Sequence, residues 1–202
     1  MEAVHTLDGV PIARIPLDGR GHRATGWWGM MFFIITEGTL FAYLLFSYFY
    51  VGAQSPTWPP GGPPELTLAI VNTVILVVSS IPMRLGTLAI RRASRGALVA
   101  WAIVAALLGV AFLIIEATEW SRKPFRMSTG SYGSLYFTVT GFHFAHVVVG
   151  LLLILEIVWR ALADRVSAAR PLAVETVGAY WHLVGLVWLF VFFTIYVSPY
   201  LW

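Results

Sequence analysis

Five stretches of this 202-residue chain are each long and apolar enough to cross a bilayer, and nothing else in the sequence limits its fold so tightly. A spanning helix needs about 20 mostly apolar residues to traverse a hydrocarbon core of about 30 Å. The stretches cover about 27–50, 66–90, 97–120, 132–159 and 177–201. Lipid offers no partner for a backbone N–H or C=O, so each stretch must close its own hydrogen bonds as a helix. The expected fold is all-α: a polytopic bundle of five transmembrane helices over residues 26–202, preceded by a polar tail over 1–25.

Composition narrows the function classes. Hydrophobic residues make up 58% and charged residues 11%, against about 25% charged in an average soluble domain. Intrinsic disorder is excluded, because it needs low hydrophobicity and high net charge. The absence of cysteine removes disulfide scaffolds, thiolate zinc sites, iron–sulfur clusters and cysteine nucleophiles.

The segments between spans carry the punctuation that loops require. Residues 52–64 contain Pro56, Pro59, Pro60, Pro63 and Pro64, which a helix interior does not hold. Pro64 and Glu65 suit the first turn of the second helix. The third loop has Lys123, Pro124 and Gly130, and the fourth has Asp164, Arg165, Arg170 and Pro171. No internal repeat supports an inverted-repeat transporter. The tail lacks the apolar core of a cleavable signal peptide and is expected to lie over the membrane surface or on a partner.

Basic residues retained near span ends mark the cytoplasmic side. Arg14, Arg20, Arg23, Arg84, Arg91, Arg92, Arg95, Arg160, Arg165 and Arg170 fall on the N-terminal side, and only Arg122, Lys123 and Arg126 on the other. The N-terminus is therefore expected inside and the C-terminus outside. The net charge of +3 needs no nucleic acid to explain it; these residues mark topology and meet anionic lipid. Trp27, Trp28, Tyr48, Tyr50, Trp120, Tyr132, Trp159, Tyr180, Trp181, Tyr200 and Trp202 lie near span ends, as interfacial anchors do.

Ionisable groups at membrane depth cost roughly 2.5–3.5 kcal/mol on insertion scales, so each needs a reason. At about 1.5 Å per residue, Glu37 lies about 15 Å past Trp27, near the midplane. His143 and His146 lie about 17–21 Å in from Tyr132, and His182 only about 8 Å in from the start of the fifth span. Glu116 and Glu119 end the third span, while Glu156 and Glu175 sit near the inner surface. The pairs Glu116/Glu119 and His143/His146 are spaced i,i+3, so each shares one helix face. They fit either a metal site or a set of interhelical hydrogen bonds. The pattern of di-iron bundles, Glu-x-x-His on two helices plus two more Glu, is absent from the five spans. Glu37 fits a proton-handling carboxylate, a lipid or partner contact, or a protonated Glu bonded to a neighbouring helix. Two rival classes stay in view: a membrane di-metal oxygenase using Glu37, Glu116, Glu119, His143, His146 and His182, and a small transporter using Glu37 as proton carrier.

Taken in order, the motifs resemble subunit III of haem-copper terminal oxidases, the cytochrome c oxidase subunit 3 family, in a short five-helix form. The likeness runs from about Gly26 to Trp202. It is carried by Trp28-Gly29-Met30 leading to Thr36-Glu37, by Asn72-Thr73 with Ser79-Ser80, and by Glu116-Ala117-Thr118-Glu119-Trp120. Further on it is carried by Thr140-Gly141-Phe142-His143 with His146, and by Glu175 ahead of Tyr180-Trp181-His182. The resemblance implies a non-catalytic subunit with no cofactor of its own, haem and copper being held by partner subunits. It implies packing on subunit I, subunit II in the same complex, bound phospholipid, support of proton uptake and active-site stability, and a place in the bacterial cytoplasmic membrane. It makes Glu37 the buried carboxylate. Glu119, His143, His146, Arg160, Glu175 and His182 become polar contacts for lipid or packing. The Trp58-Pro59-Pro60 loop and Asn72-Thr73 look more like cytochrome c oxidases than quinol oxidases, and a nitric oxide reductase accessory protein belongs to the same family. One departure stands out: many members have an acidic residue three positions after the last His, where this chain has Gly185.

Overall fold

The computed structural model describes residues 6–7, 10–11, 25–168 and 171–201. Within them the chain forms five long helices: α1 (Thr25–Ala53), α2 (Thr67–Arg91), α3 (Arg95–Arg122), α4 (Ser131–Leu162) and α5 (Leu172–Phe192). All five are long and apolar enough to span a membrane. In the tail, β1 (Thr6–Leu7) pairs antiparallel with β2 (Val10–Pro11). The rest of the tail, with Arg14, Arg20 and Arg23, lies outside the described residues, as do Arg170 and Trp202.

The boundaries follow local chemistry. Pro64 and Glu65 precede α2 rather than forming its first turn: the helix opens at Thr67, with Leu66 as its N-cap. The fifth span starts five residues before the expected Val177: Leu172-Ala173-Val174 continue the apolar run directly after Pro171, whose carbonyl accepts from the backbone N–H groups of Val174 and Glu175 at 3.0 Å. At its far end α5 widens into a π turn over Phe193–Val197 and closes with a 3₁₀ turn over Ser198–Tyr200. The wider turn brings Thr194, Ile195 and Tyr196 inward together.

Helices α2, α3, α4 and α5 pack in a ring, each on the next and α5 back on α2, and α1 leans on α4 and α5. Small residues let the helices approach where lipid gives no hydrophobic drive for association. Trp181, 1% exposed, shows how. A Cβ added at Gly109 would lie 2.6 Å from its ring, and one at Gly150 2.8 Å. Three helices thus close on one indole through two absent methyl groups. Trp181 is therefore a core residue rather than an interfacial anchor, and so are Tyr48 and Tyr180. Polar bolts cross between helices: Trp181 Nε1 donates to Ser79 Oγ at 2.9 Å, and Trp188 Nε1 to Thr73 Oγ1 at 2.9 Å.

The α2–α3 and α4–α5 links lie on the N-terminal face. Both open with the same C-terminal device. Ser94 N–H donates back to Ala89 O at 3.0 Å, and Arg165 N–H to Arg160 O at 2.8 Å. The intervening residues, Ala93 and Asp164, adopt φ of 56° and 60°, the left-handed conformation usually given to glycine. Arg91 binds Glu175, and Arg95 binds Asp164 and the Val166 carbonyl, tying the two links together. On the opposite face Tyr200 Oη donates to Pro64 O at 2.7 Å, pinning the C-terminal turn to the proline-rich loop.

Candidate functional site

Two polar sites sit within the spans. The first joins α1 to α4. His146 Nδ1 lies 2.6 Å from the Phe142 carbonyl, and Nε2 lies 2.8 Å from Glu37 Oε2. A carbonyl only accepts, so Nδ1 carries a hydrogen and donates. The Nε2–Oε2 contact then contains one proton, either as imidazolium with carboxylate or as imidazole with carboxylic acid. In both forms the pair is neutral overall, which reconciles two ionisable groups with membrane depth. The pair is partly buried, at 17% and 20% exposed side-chain surface for His146 and Glu37.

Its surroundings are aromatic. The Phe41 ring meets His146 edge-on with centroids 5.2 Å apart. Tyr180 Oη donates to the His146 carbonyl at 3.0 Å. Beside the pair is a void of about 10 Å³ lined by Glu37, Phe41, His143, His146, Leu183 and Val187, about the size of one water. His143 is buried one helical turn away, with its ring centroid 4.9 Å from Trp188 and 5.6 Å from Phe112. Neither of its ring nitrogens has a hydrogen-bond partner among the described residues.

The second site lies toward the C-terminal face. Glu116 and Glu119 are both buried, at 0% and 5% exposed. Glu116 Oε2 accepts from Asn72 Nδ2 on α2 at 3.0 Å. Glu119 Oε1 accepts from Tyr196 Oη at 2.7 Å and Tyr136 Oη at 3.3 Å. Lys123 Nζ reaches the same oxygen at 2.7 Å and stands over both tyrosine rings, 5.1 and 5.5 Å from their centroids. A cleft of about 590 Å³ between the 60–65 loop and the end of α3 is lined by Glu119, Arg122 and Lys123 at the C-terminal face.

The remaining sequence-predicted residues stand apart. Arg160 pairs with Glu156 one turn earlier on α4, at 2.7 Å, both well exposed. Glu175 pairs with Arg91 at 2.8 Å. His182 is half-buried, with Arg84 as its electrostatic neighbour. Opposite Gly185 is Ser80, whose Oγ lies 3.5 Å from where a Cβ would stand; the polar group here comes from α2. No group of three or more His, Asp or Glu side chains converges on one point among the described residues. Sequence reasoning named Glu37 and His146 but not as partners. It passed over Tyr136 and Tyr196, whose one signal was a hydroxyl placed where an apolar ring would serve a lipid-facing helix.

Comparison with known proteins accords with the order of motifs. The profile described as Cytochrome c oxidase subunit III matches residues 22–200. The chain is 35% identical over 179 residues to the cytochrome c oxidase subunit 3 of Synechocystis sp., covering 87% of this chain and 77% of that protein. It is 32% identical over 178 residues to the subunit 3 proteins of Aepyceros melampus and Nanger dama, covering 84% of this chain and 68% of each relative. With five bilayer-length helices and a match over nearly its whole length, the chain belongs to the cytochrome c oxidase subunit III family, whose members are multi-pass membrane subunits of an oxidase complex.

Proposed function

We propose that the chain is the non-catalytic subunit III of a proton-pumping haem-copper oxidase in a bacterial cytoplasmic membrane, N-terminus inside, with cytochrome c as electron donor. In this reading haem and copper sit in partner subunits, the bundle packs on subunit I with subunit II in the same complex, and phospholipid fills its lipid-facing surface. The observation that carries the reading is the Glu37–His146 contact of 2.8 Å. It holds a single exchangeable proton at membrane depth while staying neutral overall, which suits a group that supports proton uptake without burdening the bundle with charge. The phosphates of inner-leaflet lipid meet the exposed Arg160 and the basic residues of the α2–α3 link, and Glu119, His143, Glu175 and His182 serve as packing and headgroup contacts.

Glu37→Ala in the assembled oxidase tests this. Haem content stays at the wild-type level, because Glu37 ligates nothing, while proton uptake slows or the number of turnovers before inactivation falls. A variant with wild-type proton uptake and wild-type turnover lifetime contradicts the role, and loss of haem contradicts the non-ligand assignment.

A further inference from the structure

Asn72 on α2 and Glu116 on α3 are joined by a single hydrogen bond. Asn72 Nδ2 donates to Glu116 Oε2 at 3.0 Å. Asn72 Oδ1 and Glu116 Oε1 are both buried, and neither has a hydrogen-bond partner among the described residues. Both residues are 0% exposed. An amide oxygen and a carboxylate oxygen are acceptors only, so an ionised Glu116 leaves two buried acceptors unsatisfied, the neighbouring Trp120 indole N–H being directed to Thr140 Oγ1 at 3.2 Å. Exchanging the amide oxygen and nitrogen does not help, since it sets the amide oxygen against Glu116 Oε2 in place of the donor.

The local charge points the same way. The charged and titratable groups around Glu116 are Glu119 and Lys123 on its own helix, Tyr136 on α4, and Tyr196 on the π turn, with Tyr132 next to Glu119 beyond them; α2 brings the neutral Asn72. The one ammonium, Lys123, is bound to Glu119. Two buried carboxyl groups therefore share one cation, and Glu116 has none.

We infer that Glu116 is a proton-binding site, its proton held on Oε1 and donated to Asn72 Oδ1, so that acid and amide close a ring of two hydrogen bonds. One proton satisfies both orphaned atoms and removes the uncompensated charge. The site is distinct from the Glu37–His146 pair, which draws on α1 and on the part of α4 nearer the N-terminal face. Its route to water runs through Glu119. That carboxyl lies three residues on along the same helix face, has a buried Oε2 without a partner, and lines the cleft on the C-terminal face. Exchange moves the proton from Glu116 Oε1 to Glu119 Oε2 and on to water in the cleft, and a proton returns by the same path.

Infrared difference spectroscopy on the purified oxidase complex, wild type against Glu116→Gln, tests this directly. Glutamine keeps the shape and completes the ring with Asn72, and the haem spectrum reports assembly. The expected difference is one band from the carbonyl stretch of a protonated carboxylic acid, moving to lower frequency in D₂O. In Asn72→Leu that band rises in frequency as its carbonyl loses a donor. In Glu119→Gln its shift on transfer to D₂O becomes slower. A difference spectrum showing only ionised-carboxylate bands, or none at all, overturns the site, and the first pair decides this even if Asn72→Leu fails to assemble. Unchanged deuterium exchange in Glu119→Gln overturns the route.

Discussion

Glu37 on α1 and His146 on α4, 109 residues apart in the chain, meet at 2.8 Å with one proton between them. The contact is mechanical as well as chemical. Helix α1 packs mainly along α4 and α5 and presents Phe32, Ile35, Tyr43 and Phe46 outward, so this bond is a specific tie between it and the bundle. His146→Leu strands the Glu37 carboxyl and costs about 1–3 kcal/mol. Hydrogen exchange checks this: amides of α1 lose protection in the variant while those of α2 and α3 keep it.

Two ion pairs with similar distances differ sharply in worth. Lys123 and Glu119 lie 2.7 Å apart with 12% and 6% of their side-chain surfaces exposed, and Arg160 and Glu156 lie 2.7 Å apart with 46% and 43% exposed. Lys123→Met leaves a carboxylate buried against two tyrosine hydroxyls and destabilises by about 3–5 kcal/mol. Arg160→Met changes stability by no more than about 0.5 kcal/mol, because water and salt screen the exposed pair. Thermal unfolding midpoints of the two variants give the comparison.

Close packing around Trp181 makes a third prediction. Gly150→Ala places a methyl 2.8 Å from the indole and destabilises by about 1–3 kcal/mol through forced displacement. Gly141→Ala, on the same helix with nothing within 4 Å of its added methyl, is neutral or slightly stabilising. Equal melting temperatures for the two would remove the steric account of how α3, α4 and α5 meet.

Ala93 bears the opposite kind of strain. Its φ of 56° puts an L-residue with a Cβ in the left-handed region, at about 1–2 kcal/mol. Ala93→Gly relieves this, less what glycine adds to the freedom of the unfolded chain, for a net stabilisation of roughly 0.5–1 kcal/mol. A rise in thermal midpoint is the expected result.

How much of this the residues announce depends on the kind of interaction. Hydropathy marks all five helices, because a lipid-spanning helix must be apolar over most of its length. Its ends are less legible: Leu172 joins α5 because Pro171 can open a helix, which a count of apolar residues does not register. The i,i+3 spacing puts Glu116 and Glu119 on one buried face, as it should. For His143 and His146 the same rule separates a fully buried ring from one at the edge of the bundle, since the face they share is wider than the core contact. Partnerships such as Glu37 with His146, or Asn72 with Glu116, depend on how each helix is rotated about its axis, and that is set by all the packing contacts together. Ala93 gives no signal at all, since alanine is an ordinary helix residue whose positive φ is imposed by the three-residue link to α3.

The central claim, that this chain is a subunit of a haem-bearing oxidase, is tested most directly by purifying a tagged chain from its native membrane in mild detergent and recording the optical spectrum. The account predicts that haem absorbance and oxygen-reducing activity co-purify with the chain, with the haem carried on other polypeptides. A chain that purifies without haem, or that alone binds stoichiometric iron, would contradict it.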